Sequence, residues 1–139
     1  MATAAHSGAA ALPVRRGEKP WTSAELKEVR EQLQAEVEGL RAEIAQAESQ
    51  IAERLGDAVG DAGDDQADAG AKTFAREHEL ALTQNARELL ELSERALAKM
   101  DEGTFGVCES CGQPVGKARL QAFPRAILCV TCKQREERR

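Results

Sequence analysis

Four cysteines, Cys108, Cys111, Cys129 and Cys132, stand as two C-x-x-C pairs separated by seventeen residues, and they are the only cysteines in the 139-residue chain. Each pair places two thiolates on one tight turn. Two such turns complete a tetrahedron around zinc, with sulfurs about 2.3 Å from the metal, and the intervening length suits paired zinc knuckles. Disulfides fit poorly in a chain without export features, and an iron-sulfur cluster or a thioredoxin-type redox pair belongs in other sequence settings. Four thiolates close the site and leave no open position to activate water, so a single Zn²⁺ is expected in a structural role. The 37 residues from Gly103 to Arg139 can bury little apolar surface, so metal removal is expected to unfold them.

The rest of the chain has little aromatic mass for a globular core: three phenylalanines, one tryptophan and no tyrosine. Charged residues make up 31% and alanine is abundant, a composition that points to long helices rather than to a sandwich or an α/β fold. The net charge of -5 is unevenly spread: residues 56–70 carry -5, whereas residues 103–139 carry +4. A protein devoted to non-specific DNA binding would show basic excess along its long faces. The segment MATAAHSGAAALPVRRGEKP makes a poor signal peptide and reads as a disordered arm over residues 1–20. No run is long enough to span a bilayer, and a cytoplasmic location is expected.

In PWTSAEL, Thr22 is placed to cap a helix, Glu25 to close a capping box and Trp21 to staple onto Leu26. Leu33, Val37, Leu40, Ile44, Ala47 and Ile51 then alternate by four and three, the seam of a coiled coil, and Gly56 ends the helix after Leu55. A second helix is predicted from about Ala71 to Glu102, its stripe formed by Phe74, Leu82, Ala86, Leu89, Leu90, Ala96, Leu97 and Met100, with Gly103 as its stop. The expected fold is therefore all-α: a long antiparallel coiled-coil hairpin over residues 21–102 and a small four-cysteine zinc module with a terminal helix over residues 103–139. The first helix would extend roughly 50 Å at about 1.5 Å per residue, which puts the link at the tip of a rod.

That link, residues 56–70, contains Asp57, Asp61, Asp64, Asp65 and Asp68 among four glycines. A turn needs the glycines but not five aspartates. Asp65 or Asp68 could simply cap the returning helix, leaving the others solvated. A calcium loop is a poorer reading, because the ligand spacing and terminal glutamate of the standard loop are missing.

The stretch GTFGVCESCGQPVGKARLQAFPRAILCVTCK closely resembles the zinc-finger signature of the DksA/TraR family of bacterial transcription regulators. The likeness rests on Phe105-Gly106, Cys111-Gly112, Arg119-Leu120, Ala122, Pro124 and both cysteine pairs, and extends more weakly over residues 22–139. It implies a protein that binds RNA polymerase directly, inserts its coiled-coil tip through the secondary channel and alters initiation without contacting DNA. Longer members carry a D-x-x-D-x-A tip motif, onto which an ungapped count from the first zinc cysteine places Asp65 and Asp68, with Gly70 where the motif has alanine. Some members also bind guanosine tetraphosphate through basic residues. The same count puts Asn85, Leu92 and Phe123 at three of those positions and retains only Lys133, so a weak or absent response is expected.

No nucleophile and base pairing or phosphate-binding glycine motif appears, and His6 and His78 stand alone, so an enzyme is not expected. Two other readings remain: a zinc-stabilised coiled-coil adaptor for another protein, and a DNA-binding zinc finger using the basic end. The acidic helices and the lack of a finger helix patterned for base contact argue against the last.

Overall fold

The computed structural model describes residues 9–57 and 66–138. Its elements are α1 (Ser23–Asp57), α2 (Gln66–Glu102), α3 (Lys117–Ala122) and α4 (Val130–Glu137). Among the described residues there is no strand, only an isolated antiparallel bridge between Val107 and Pro114. The described residues form two compact units, one within 1–37 together with 91–139 and the other within 38–90.

The start of α1 follows its sequence. The Thr22 backbone N–H donates to Glu25 Oε1 (3.0 Å) and the Glu25 N–H to Thr22 Oγ1 (3.1 Å), a closed capping box that satisfies donors the first turn would otherwise leave open. Trp21 is buried, and Leu26 packs against the cluster to which it belongs. Along α1, Leu33 and Val37 are buried while Leu40, Ile44, Ala47 and Ile51 are half-buried, so the predicted seam is the covered face.

The predicted stripe of α2 needs correction. Phe74 is 74% and Leu82 54% exposed. The other six predicted positions, Ala86, Leu89, Leu90, Ala96, Leu97 and Met100, are buried or half-buried, and the covered face also takes in Thr83 and Ser93, which alternate by three and four with Ala86, Leu90, Leu97 and Met100. Thr83 and Ser93 occupy core positions because they are small, and the Thr83 hydroxyl donates to the Glu79 carbonyl one turn earlier (2.9 Å), so its polar atom enters the seam already satisfied. Phe74 and Leu82 fall off this register.

Within the 38–90 unit, Arg54 pairs with Glu79 and Arg87 with Glu48. As the first chain position falls by six the second rises by eight, which is an antiparallel register. In the other unit Arg30 Nη2 lies 2.9 Å from Asp101 Oδ1, with the same sense. Exposed pairs of this kind add little energy; they mark the alignment that the apolar seam sets.

Both helix ends at the link differ from expectation. α1 continues through Gly56 to Asp57, and α2 begins at Gln66, five residues before Ala71, with Gly70 inside it. A glycine costs a helix interior about 1 kcal/mol, less than a paired helix can carry. Asp68 falls in the first turn of α2, where negative charge suits the macrodipole. The remainder of the acidic link, including Asp65, lies outside the described residues.

α2 ends at Gly103, whose φ of 80° is the left-handed conformation that favours glycine. Thr104 N–H donates to the Lys99 carbonyl (2.9 Å) and Gly103 N–H to that of Met100 (3.4 Å), the paired bonds of a Schellman stop. The chain then enters the core of this unit, where Trp21, Leu33, Phe105, Val115 and Leu120 pack with three of the cysteines. Trp21 and Phe105 meet as tilted rings with centroids 5.9 Å apart. The disordered-arm reading does not extend to residues 9–20: Ala9 and Leu12 are buried, and Leu12 joins this core. Alanine-rich composition hid this packing, because the core that Leu12 joins also draws on residues from Ala96 to Cys132.

Leu33, fully buried in this cluster, is expected to lose about 2–5 kcal/mol of stability on Leu33→Ala, whereas Leu82→Ala should stay within about 0.5 kcal/mol of the parent. Chemical denaturation of the two variants checks this, and equal effects would contradict the corrected register.

Candidate metal centre

The first cysteine pair is shaped by its own backbone. Cys108 N–H donates to the Gln113 carbonyl (2.8 Å) and Gly112 N–H to the Cys108 carbonyl (3.0 Å), which folds Cys108 and Cys111 onto one turn. The second pair uses a helix start, with Cys129 at the N-cap of α4 and Cys132 in its first turn. Two bonds bring the pairs together: Glu109 N–H to the Ile127 carbonyl (2.9 Å) and Cys129 N–H to Cys108 Sγ (3.4 Å).

All four sulfurs consequently lie within 4.8 Å of one another, and the Cys111 and Cys129 sulfurs are 3.8 Å apart. A tetrahedron with metal-sulfur bonds of about 2.3 Å has edges of about 3.8 Å, so the donor set fits zinc. Cys108, Cys129 and Cys132 are buried, and Cys111 is exposed.

The thiols themselves show why a cation belongs there. Burial raises the Cys108 pKa, but the backbone N–H groups of Cys111, Cys129 and Ser110 outweigh it and bring it down to about 6. Cys132 is pushed up to about 12, chiefly by its hydrogen bond with Cys129. A divalent cation at the centre of the cluster favours the thiolate form of its ligands.

Basic residues near the ligands in sequence have partners of their own. Lys117 Nζ lies 2.6 Å from Glu25 Oε1 and donates to the Pro20 carbonyl (3.2 Å). Arg125 Nε stands 3.9 Å from Glu36 Oε2, and Arg119 Nε donates to the Leu128 carbonyl (3.3 Å). From the acidic side, Glu109 of the first knuckle pairs with Arg95 and Lys99 on α2. The Lys117, Arg125 and Glu109 contacts fasten the module to Pro20, α1 and α2, and that of Arg119 stays within the module.

Two glutamates that meet the module from the N-terminal side are held below the usual carboxylate range. Glu25 is held down at about 2, first by the Lys117 hydrogen bond and then by the Thr22 N–H. Glu18 is also lowered: burial opposes its ionisation, but the N–H groups of Ala118, Lys117 and Arg15 more than offset that. Sequence reasoning missed Glu18, since its α3 partners are 99 and 100 residues away and no local pattern signals them.

Of the other predicted site residues, Lys133 is exposed on α4 beside Cys132, and Asp68 is exposed in α2 within the 38–90 unit; neither is a member of the cysteine cluster. Asp65 lies outside the described residues.

Residues 103–138 match the family model of the prokaryotic dksA/traR C4-type zinc finger, and with four convergent sulfurs the centre holds one structural zinc. The chain is 39% identical over 64 residues to the RNA polymerase-binding transcription factor DksA of Caulobacter vibrioides, covering 46% of this chain and 45% of that one. It is 41% identical over 63 residues to the protein of the same name from Escherichia coli K12, covering 42% of each. The match thus spans under half the length of these curated relatives. The solved structure of transcription factor DksA2 from Pseudomonas aeruginosa superimposes with a TM-score of 0.65 at 27% identity, over 83% of this chain and 84% of that one.

Chelation of zinc is expected to abolish ordered structure in residues 103–138 while most helical circular dichroism persists, and Cys129→Ser should have the same effect without chelator. Retention of full melting cooperativity after complete zinc removal would contradict this. For Glu25 the folded pKa lies below the unfolded value, so the stability it contributes is present above about pH 4.5 and is lost as pH falls toward about 2. Glu25→Gln should therefore lower the melting temperature at pH 7, with the gap to the parent narrowing as acid is added below about pH 4.5. A pH-independent gap would contradict the Lys117 assignment.

Proposed function

Since this chain belongs to the DksA/TraR family, we propose that it is a bacterial transcription regulator that binds RNA polymerase directly and inserts its acidic link into the enzyme's secondary channel. The observation that carries this reading is the likeness to transcription factor DksA2, which covers 83% of the chain and so reaches well past the 36-residue finger into the helices. In this reading residues 21–102 form the inserting hairpin and residues 103–139 the zinc-built base. The zinc is structural, and the protein performs no chemistry of its own.

Asp65 and Asp68 are the residues that act in the channel. A carboxylate there meets a bound magnesium ion and the basic groups that handle substrate, so its charge alters the electrostatics of initiation. Asp68 is suited to this because it is exposed and its helix is ordered from Gln66 onward. Gly70 replaces the alanine of the family motif but remains helical, as does Asp68.

Guanosine tetraphosphate has little effect in this account, because Asn85, Leu92 and Phe123 supply no cationic donors for a polyphosphate and Lys133 alone cannot replace them. The protein works in the cytoplasm without sequence-specific DNA contacts. Among the described residues no helix is long and apolar enough to cross a membrane.

Zinc-loaded protein is expected to bind purified bacterial RNA polymerase saturably and to be displaced by a competing secondary-channel factor. The Asp65→Asn/Asp68→Asn double variant should keep its fold and zinc content but lose most of its effect in a reconstituted transcription assay. Binding that the competitor leaves untouched would exclude the channel, and a double variant with parental regulation would exclude the aspartates.

A further inference from the structure

We infer that residues 9–20 are a strap that closes the zinc module and sets how fast the metal leaves it. The strap shares the core that holds three of the cysteines, and its backbone and charged contacts fall on the segments that join or lead into the cysteine pairs.

The apolar contact is Leu12, 7% exposed, which belongs to the same core as Cys108, Cys129 and Cys132, with Val14 packed against it. Three of the four sulfur donors therefore sit in a core that the strap completes. Next comes a close backbone approach at Gly106, two residues before Cys108. A Cβ there would stand 3.2 Å from Leu120 Cδ1 and 3.7 Å from the Pro13 carbonyl oxygen. Gly106 also has a φ of 91°, so glycine both permits the turn into the first knuckle and lets the strap lie against it.

Glu18 supplies the charged contact. Its Oε1 accepts from Lys117 N–H (2.9 Å) and Arg15 N–H (2.7 Å), and its Oε2 accepts from Ala118 N–H (2.9 Å). Helix α3 is six residues long and its own N-cap, Gly116, has no side chain to cap it. Glu18 takes over that task from outside and, through Arg15, ties the strap back on itself. Lys117 completes the closure by donating to the Pro20 carbonyl.

Helix α3 with its buried Leu120 lies between Cys111 and Cys129. Zinc leaves a closed four-thiolate site only when the pairs separate, and separation requires this joining segment to move. Glu18 and Leu12 hold it in place, so strap opening precedes metal release. This concerns the rate of zinc loss and is independent of whether the protein binds polymerase.

The test uses the full zinc-loaded chain at pH 7 mixed with excess chromophoric zinc chelator, with metal transfer followed by absorbance and helicity by circular dichroism. Glu18→Gln keeps the side-chain shape but removes the second acceptor and the charge; Leu12→Asp opens the apolar contact; Arg16→Ala, at an exposed strap position, is the control. Transfer should accelerate roughly five- to tenfold for Glu18→Gln, at least as much for Leu12→Asp, and not at all for Arg16→Ala. Each variant should begin with one zinc and parental helicity. Parental transfer rates in Glu18→Gln would overturn the inference. So would acceleration accompanied by loss of helicity before chelator is added, since the metal would then be leaving an unfolded chain.

Discussion

Four sulfurs confined within 4.8 Å of one another set a charge problem that the C-terminal segment solves only with a cation. Burial opposes ionisation of Cys108 but backbone donors outweigh it and pull the thiol down to about 6, whereas the hydrogen bond with Cys129 pushes Cys132 up to about 12. A divalent metal removes that conflict and converts the cysteines into the centre of a core. Phe105, Val115 and Leu120 are the buried apolar side chains that the module itself adds around them, too few to order such a short segment without the metal. The first knuckle, the cap of α4 and the bonds from Glu109 and Cys129 all make sense as means of holding four donors in place for one ion.

The 38–90 unit has a different basis. Its helices pair through small and aliphatic side chains, and charged pairs such as Arg54 with Glu79 mark the register without supplying much energy. Packing of this kind tolerates glycine inside a helix and polar hydroxyls inside the seam, provided the hydroxyl bonds back to its own turn, as Thr83 does. Zinc loss should leave this unit intact.

Much of this was legible in the sequence, and what was not has identifiable causes. The cysteine spacing fixed the metal centre because ligand geometry allows few alternatives. The Thr22 and Glu25 box was legible because its bonds are local. The α2 stripe was misread at Phe74 and Leu82 because hydrophobicity was weighed above heptad spacing, which small Thr83 and Ser93 satisfy better. The helix bounds at Gly56 and Ala71 were not legible because a glycine does not end a helix that a partner helix supports. Glu18 escaped notice because its partners on α3 are near the other end of the chain, and Leu12 because the core it joins is assembled from both ends.

The dksA/traR zinc finger, the likeness to transcription factor DksA2 and the helical fold lead to one functional proposal, that the acidic link enters RNA polymerase. A photo-crosslinking amino acid in place of Ala67, between the two aspartates in sequence, tests it most directly. Irradiation of the complex with RNA polymerase should attach the protein to polymerase segments lining the secondary channel near the active centre, and a competing channel factor should suppress the adduct. Crosslinks only to the outer surface of the enzyme, or none from a complex that demonstrably forms, would contradict the account.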